Sequence, residues 1–369
     1  MVAVGAALRF WQLDALPSGL YPDEAENGIN AWDALSGGDL KVFYHADGVR
    51  GREGLFVNAI AASFALLGKD VFGLRAVAAL AGTLGVLGQY WFSLEFLRAV
   101  GASRHLGGDD GRLRVVALCS GLFLALSAWH VEFSHLALRA ILVPGFETFG
   151  LALLIRALTL GGVARASVAG LVLGLGLHSY IGYRPFLVVV ALPVLAAFWR
   201  GGEPAEGRTH RGAESPLFLA ALAGGVLVAS LPLLLYFAAS PDQLMERAAS
   251  QSIFSAQTTP AHYFALNNLR ALTSLTYAPE CDWRYFHGCP NLRLLPLDVA
   301  LLAVGLLATL IPRAWAVAFG ASPRSGLFPA ALRLTPIWWL AWASLPMTLS
   351  VVSPHALRGL GLDDEVHAE

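Results

Sequence analysis

An all-α, polytopic membrane protein is the fold class this sequence predicts, on three observations. Of its 369 residues, 56% are hydrophobic and only 14% charged, against roughly 25% charged in soluble domains. Apolar runs of about 17–25 residues, the length of a membrane span, recur along most of the chain. The arginines of alternate inter-span loops collect on one side, as the positive-inside rule requires. A formal net charge of −1 argues against a strongly basic nucleic-acid binder, so no nucleic-acid partner is expected.

Taken in order, nine spans are expected: a residual first one at 1–13, then about 71–97, 115–130, 138–160, 166–182, 185–199, 216–239, 297–318 and 333–352. The eight residues before Arg9 reach only about 12 Å as a helix, so the first span is expected to begin upstream of Met1. The acidic run 363–369 follows no recognisable pattern, and a chain shortened at both ends is expected. Residues 54–68 are apolar but too short to span, and read as an interfacial helix. One set of loops holds Arg98, Arg104, Arg112 and Arg114, then Arg156 and Arg165, then Arg200, Arg208 and Arg211, then Arg313, Arg324 and Arg333. These short, Arg-rich loops are assigned to the cytoplasm. The opposite side receives a first outer loop at about 14–70, the turns 131–137 and 180–184, a large loop at about 240–296 and the end 353–369. The whole is one transmembrane domain, 1–369.

That opposite side also gathers the unusual chemistry: Asp23, Glu24, Glu53, Glu132, His135, Tyr180, Arg184, Asp282, His355 and Arg358. The densest part is Tyr21-Pro22-Asp23-Glu24-Ala25-Glu26-Asn27. An uncompensated carboxylate near hydrocarbon is costly, so an acidic knot between apolar segments needs a cause. Helix capping is one, with Asp23 as N-cap and Glu26 at the third helical position. A base held at the membrane surface beside a lipid-borne substrate is the other. Cys281 and Cys289 enclose seven residues of the large loop, a spacing that suits a disulfide in an oxidising compartment, two unpaired thiols being the alternative. Cys119, mid-span, reads as a small buried hydrophobe. Gly170 and Gly174 form a small-xxx-small helix-packing face. Mid-spans nearly free of charge argue against a lipid or small-molecule transporter, which places ionisable groups there.

The blocks Leu8-Arg9-Phe10-Trp11 and Leu16-Pro17-Ser18-Gly19-Leu20-Tyr21-Pro22-Asp23-Glu24-Ala25 resemble the start of glycosyltransferase family 39 and its bacterial relatives, the protein O-mannosyltransferase-like enzymes. Gly51-Arg52-Glu53-Gly54-Leu55-Phe56 is similar to the family's acidic residue followed by Pro-Pro-Leu, without the prolines. Val71-Phe72-Gly73-Leu74-Arg75, His178-Ser179-Tyr180-Ile181-Gly182-Tyr183-Arg184 and Ser353-Pro354-His355-Ala356-Leu357-Arg358 resemble later blocks. Coverage is essentially the whole chain, although only the Asp-Glu block is specific to the wider family. His135 stands where the family has Arg after Ser134.

The resemblance implies the C-type glycosyltransferase membrane fold and inverting transfer of a sugar from a polyprenyl-phosphate donor to an acceptor hydroxyl on a protein, lipid or glycan. The setting is the plasma (inner) membrane of a cell envelope, among membrane lipids, with the active site on the extracytoplasmic face. It makes Asp23 the general base, counted with Glu24 and Glu53 as the catalytic set, while Glu24 and Glu26 also read as capping and solvated-face residues. Glu53 either orients the acceptor or Asp23, or ligates a divalent metal with Asp23. A weak ligand set favours a reaction that requires no cofactor, with a divalent metal as the alternative. Arg75, Arg184 and Arg358, with His355, are the donor-phosphate ligands, against snorkelling interfacial side chains. Tyr180 and Asp282 are assigned to the acceptor or loop site. A non-catalytic fragment or scaffold of such a transferase is a further alternative.

Overall fold

The computed structural model describes residues 1–46, 49–100, 110–198, 215–244, 252–254, 259–274, 296–311, 327–345 and 349. Helices dominate, interrupted by one short hairpin. The chain opens with α1 (Val2–Phe10), and the segment after it builds α2 (Pro22–Leu35), β1 (Phe43–Ala46), β2 (Val49–Glu53) and α3 (Gly54–Leu67). The bundle continues with α4 (Val71–Ala99), α5 (Asp110–Leu126), α6 (Ala128–His135), α7 (Leu142–Leu160), α8 (Val163–Gly176), α9 (Phe186–Phe198) and α10 (Pro216–Ala239). Three further helices follow, α11 (Pro260–Ser274), α12 (Pro296–Leu310) and α13 (Leu327–Ala343).

Helix starts follow local chemistry. Asp70 caps α4 by accepting from the Gly73 N–H at 2.7 Å, and Ser215 caps α10 from the Phe218 N–H at 3.1 Å, with Pro216 at the first helical position. Both arrangements satisfy backbone donors that a helix start leaves open. At the other end, Gly161 closes α7 with φ +68 and returns its N–H to Ala157 O at 2.8 Å. The short helix over Gly54–Leu67 matches the non-spanning element expected there; it packs between α2 and α4.

Among the described residues, four helices are long and apolar enough to cross a membrane: Val71–Ala99, Arg139–Leu160, Ile181–Phe198 and Pro216–Ala239. A fifth span results if α5 and α6 are taken together across their 55° bend. The bend has an identifiable cause. Arg9 is fully buried and donates to the carbonyls of Ala125 and Leu124, each at 3.1 Å, and to His130 Nδ1 at 2.8 Å. A guanidinium at the end of α5 thus takes carbonyls that a continuous helix would bond internally.

One expectation is corrected. Cys119 is exposed, not buried, on a helix face shared with exposed Val115, Leu118, Leu122 and Phe123; in a membrane such an apolar face is solvated by lipid. The spans are nearly but not wholly free of charge: Glu147 lies inside Arg139–Leu160, beside Trp339 of α13.

The most extensive helix pair is α8 with α10, and small residues explain it. A Cβ on Gly170 would lie 2.1 Å from Leu222 O, and one on Gly225 2.5 Å from Ser167 O. Lipid offers no hydrophobic drive for helix association, so close backbone approach supplies the contact. Gly170→Leu and Gly225→Leu are each expected to lower thermal stability in detergent by about 1–3 kcal/mol, the usual overpacking cost. Gly224→Ala, where an added Cβ meets nothing within 4 Å, is the control and leaves the unfolding temperature unchanged.

Candidate functional site

The acidic knot resolves into side chains with separate tasks. Tyr21 is the N-cap of α2 and Pro22 its first residue, which suits a ring with φ fixed and no N–H. Glu24, at the third position, reaches back to accept the Tyr21 N–H at 3.0 Å. A capping interaction therefore exists, but two residues earlier than expected. Asp23 is not the cap, and Glu26 pairs with Arg52 instead of closing the box.

Glu24 does more than cap. Its Oε1 accepts from Arg75 Nε at 3.0 Å and from the Ala137 N–H at 2.8 Å. Arg75 extends its other nitrogens to the carbonyls of Leu13 at 3.3 Å, Pro17 at 3.0 Å and Gly19 at 2.6 Å. Both side chains are 0% exposed. Arg75 was expected to hold the donor phosphate; its donors instead fold the 13–19 loop over the start of α4 and α2. Burial of the guanidinium is possible only because a carboxylate and three carbonyls replace water around it.

Three residues along α2, Asn27 repeats the grip on Ala137, donating to its carbonyl at 2.9 Å. The backbone of Ala137 is thus held on both its N–H and its C=O by α2 side chains. Arg52 Nη1 donates to Asn27 Oδ1 at 2.9 Å. Neighbouring residues of a strand point to opposite faces, so Arg52 turns toward α2 while Glu53 turns away from it. Gly54 permits the close approach of the backbone just before β1, since a Cβ there would meet Lys41 O at 1.9 Å.

Glu53 faces two arginines. Its Oε2 lies 3.4 Å from Arg139 Nε and its Oε1 3.4 Å from Arg184 Nη2. Arg139 stands on a 3-10 turn, Arg139–Ile141, two residues after Ala137, and its guanidinium lies 5.1 Å from the centre of the Tyr180 ring. Arg184 also donates to Leu244 O at 3.3 Å and sits 5.4 Å from the Phe237 ring centre. The Glu53 side chain is 3% exposed, Arg139 9% and Arg184 27%, so the cluster is enclosed with one arginine reaching its rim. One carboxylate thus sits between two guanidiniums.

Asp23 lies half-buried beside this cluster's anchor. It precedes Glu24 by one residue and shares a helix flank with Glu26, three residues on, which reaches β2 through Arg52. Residues of the segments 14–70, 131–137, 180–184 and 240–296, all assigned to one side from the arginine pattern, touch one another here through Glu24–Ala137, Glu53–Arg184 and Arg184–Leu244, and Arg139, from the start of the expected span 138–160, joins them. Of the residues singled out in the sequence, Asp23, Glu24, Glu53, Arg75, Tyr180 and Arg184 are brought together there. His355, Arg358, Asp282, Cys281 and Cys289 lie outside the described residues. Among the described residues no group of three His, Cys, Asp or Glu side chains is spaced to hold a metal ion.

Arg139 and Asn27 were not singled out by sequence. Arg139 follows four positions after His135, where the resembled family carries an arginine, and it interrupts the apolar run 136–143; those are the signals that could have marked it. His135 instead places its ring nitrogens near Val131 O, at 2.9 Å, and Trp11 O, at 3.2 Å.

No protein-family model matches the chain, and no curated protein matches it.

Breaking the buried pair tests the account of Arg75. Arg75→Ala and Glu24→Ala are each expected to destabilise the fold by about 3–5 kcal/mol, and the double variant by clearly less than their sum. Additive losses in a double-mutant cycle of unfolding would remove the pair from its organising role.

Proposed function

We propose that this chain is an inverting glycosyltransferase of C-type fold, with about nine spans, that moves a sugar from a polyprenyl-phosphate donor to an acceptor hydroxyl at the extracytoplasmic face of the plasma membrane. The observation that carries the reading is the enclosed Glu53–Arg139–Arg184 cluster, in the same layer as the half-buried Asp23. The residue resemblance to glycosyltransferase family 39 supports it independently.

In this reading each group has one task. Asp23 accepts the proton of the acceptor hydroxyl as that oxygen attacks the anomeric carbon. The bond from the anomeric carbon to the phosphate oxygen breaks, its electron pair stays on the phosphate, and the anomeric centre inverts. Arg139 and Arg184 face the developing phosphate charge, where fixed donors need no reorganisation during the reaction. Glu53 keeps the two guanidiniums in place before the donor arrives. Glu24 and Arg75 do not touch substrate; they fix the start of α2, and hence Asp23, against Ala137. Tyr180 supports Arg139 through its ring face.

A transporter reading has one observation in its favour, the intramembrane Glu147, since an acid within a span is by default a functional marker. One experiment separates the two. Membranes carrying the protein are incubated with a panel of radiolabelled polyprenyl-phosphate sugars, and Asp23→Asn is compared with wild type. Transfer is expected to fall by about 10²–10⁴-fold, the contribution of a positioned general base, with folding and insertion retained. Retention of more than about a tenth of wild-type turnover would remove Asp23 from the role. Absence of transfer from every donor, together with movement of labelled lipid across the bilayer, would favour transport.

Arg139→Gln extends the test to the residue that sequence missed. It is expected to lower turnover by about 10²-fold or more, as for other lost transition-state donors, with Arg139→Lys recovering part of the loss. Wild-type turnover in Arg139→Gln would move the phosphate site elsewhere.

A further inference from the structure

Helix α2 divides lengthwise into three stripes, and the proposed transfer uses only two of them. The buried stripe is polar in its first half: Glu24 and Asn27 are 0% and 1% exposed, followed by Ala31 and Ala34. A second stripe, Asp23, Glu26, Asn30 and Asp33, follows the i, i+3, i+7 spacing of one helix face and is wholly polar. The third, Ala25, Ile29 and Trp32 with Leu35 at its end, is wholly apolar. It lies open, with Ile29 61% exposed, Leu35 42% and Trp32 39%. A helix that buries a carboxylate and turns an indole and two branched aliphatic chains outward reverses the pattern that water imposes.

The surroundings of the apolar stripe identify what covers it. Gly28, at its edge, packs on the start of α4, where an added Cβ would lie 3.4 Å from Leu74 Cδ1. Lys69 sets its ammonium 3.5 Å from the centre of the Trp32 ring, two residues before α4 begins at Val71. The indole therefore stands at the level where that span leaves the hydrocarbon. Leu66 and Leu67 at the end of α3, and Phe72 in the first turn of α4, are exposed on either side of Lys69 in the chain. The Phe72 ring lies 6.5 Å from that of Phe10 in α1. Further along the same span Leu80, Leu84 and Leu87 are exposed, a face that only lipid can solvate. The open stripe of α2 is thus continuous with the lipid-facing flank of α4. A tryptophan and a lysine are also the side chains that a bilayer surface favours, the ring beside the upper acyl chains and the ammonium reaching up to the head groups. Stacked as they are here, the two reinforce each other by a cation–π contact.

We infer that the stripe Ala25, Ile29, Trp32 and Leu35 of α2 is a lipid-binding surface, seated where acyl chains meet head groups, with Lys69 holding Trp32 in place. Bilayer phospholipid is the occupant. Contact with it fixes the roll of α2 and turns the polar stripe that begins with Asp23 away from the hydrocarbon. The surface requires a chain that crosses a membrane, and stands whether or not that chain transfers sugar.

The test puts the photo-crosslinking residue p-benzoylphenylalanine in place of Ile29, Leu35 or Asn30 in the whole chain, reconstituted in phosphatidylcholine nanodiscs. The irradiated protein is then weighed by mass spectrometry. The Ile29 and Leu35 positions are expected to give phosphatidylcholine adducts about fivefold or more above Asn30 of the polar stripe, as the two faces of an interfacial helix should. The same residue in place of Leu84, exposed in the middle of α4, marks the yield of full lipid contact. Equal yields at Ile29 and Asn30 would overturn the surface. Crosslinking of the Ile29 position to a second copy of the chain instead of lipid would overturn the lipid assignment and make the stripe a self-association face. A second measurement leaves the stripe's aliphatic residues native. Tryptophan fluorescence of wild type and Trp32→Phe is compared in nanodiscs whose lipid carries bromine on the upper acyl chain. Trp32 is one of ten tryptophans, and its loss is expected to lower the bromine-quenched intensity in proportion. An unchanged quenched intensity in Trp32→Phe would place the indole away from lipid and overturn the proposal.

Discussion

The carboxylate of Glu24 is the constraint on which the layer around Ala137 and Glu53 depends. It accepts from the Tyr21 N–H, from Arg75 and from the Ala137 N–H, so one side chain joins the first helical turn of α2, the start of α4 and the segment that leads into α7. Arg75 then gathers three carbonyls of the 13–19 loop. Removal of either partner leaves an uncompensated charge with no water to receive it, which is why a buried pair is costly to break although it contributes little net stability when formed. What it supplies is position: Asn27, Arg52 and Glu53 are placed relative to Ala137 and Arg139 because α2 is pinned beside them.

Two charged layers of the molecule share a construction. Glu53 lies beneath Arg139 and Arg184, and Glu95 beneath Arg98 and Arg156. The run that opens with the Arg139 turn and continues as α7 contributes an arginine to each layer, so a single helix spans from one to the other. Between them the interior is held by aromatic contact, such as Phe92 and Phe186 around Trp339, and by a small polar ladder of Gln89, Ser93 and Ser120 between α4 and α5. A hydrocarbon-thick slab with few charges, bounded by shared carboxylates, is the arrangement that a membrane imposes on helices whose ends must remain polar.

Much of this was legible in the sequence because it follows from periodicity and charge placement. The span Val71–Ala99, the short helix Gly54–Leu67, the close contact at Gly170 and the common layer of four separated loops all express patterns that need no tertiary knowledge. The partners of individual charges were not legible. Asp23 and Glu24 are neighbours with similar chemistry, and it is the start of α2 at Pro22 that puts Glu24 at the third helical position, from which it reaches back to the cap. Arg75 looked like a free cation because the 13–19 carbonyls that occupy it are backbone atoms, invisible to any reading of side chains. Arg139 was missed for the converse reason, since its role is set by β2 and by Arg184, distant in sequence. Cys119 was misjudged because burial in a membrane bundle can mean contact with lipid as well as with protein.

The division of labour among the carboxylates follows from the same physics. Glu24 has its oxygens filled by donors from Tyr21, Arg75 and Ala137 and is 0% exposed. Glu53 is held between two cations, Arg139 and Arg184. Glu26 is engaged by Arg52. Among the acids of this first loop that face the cluster, Asp23 is the one whose position at the second residue of α2 places it on the flank of the buried stripe rather than in it. A base must meet both the protein that orients it and the substrate that it deprotonates, and a residue at the edge of a rigidly pinned helix satisfies both conditions. In the proposed reaction the neighbouring acids each hold a cation or a helix end, and so fix the place of Asp23.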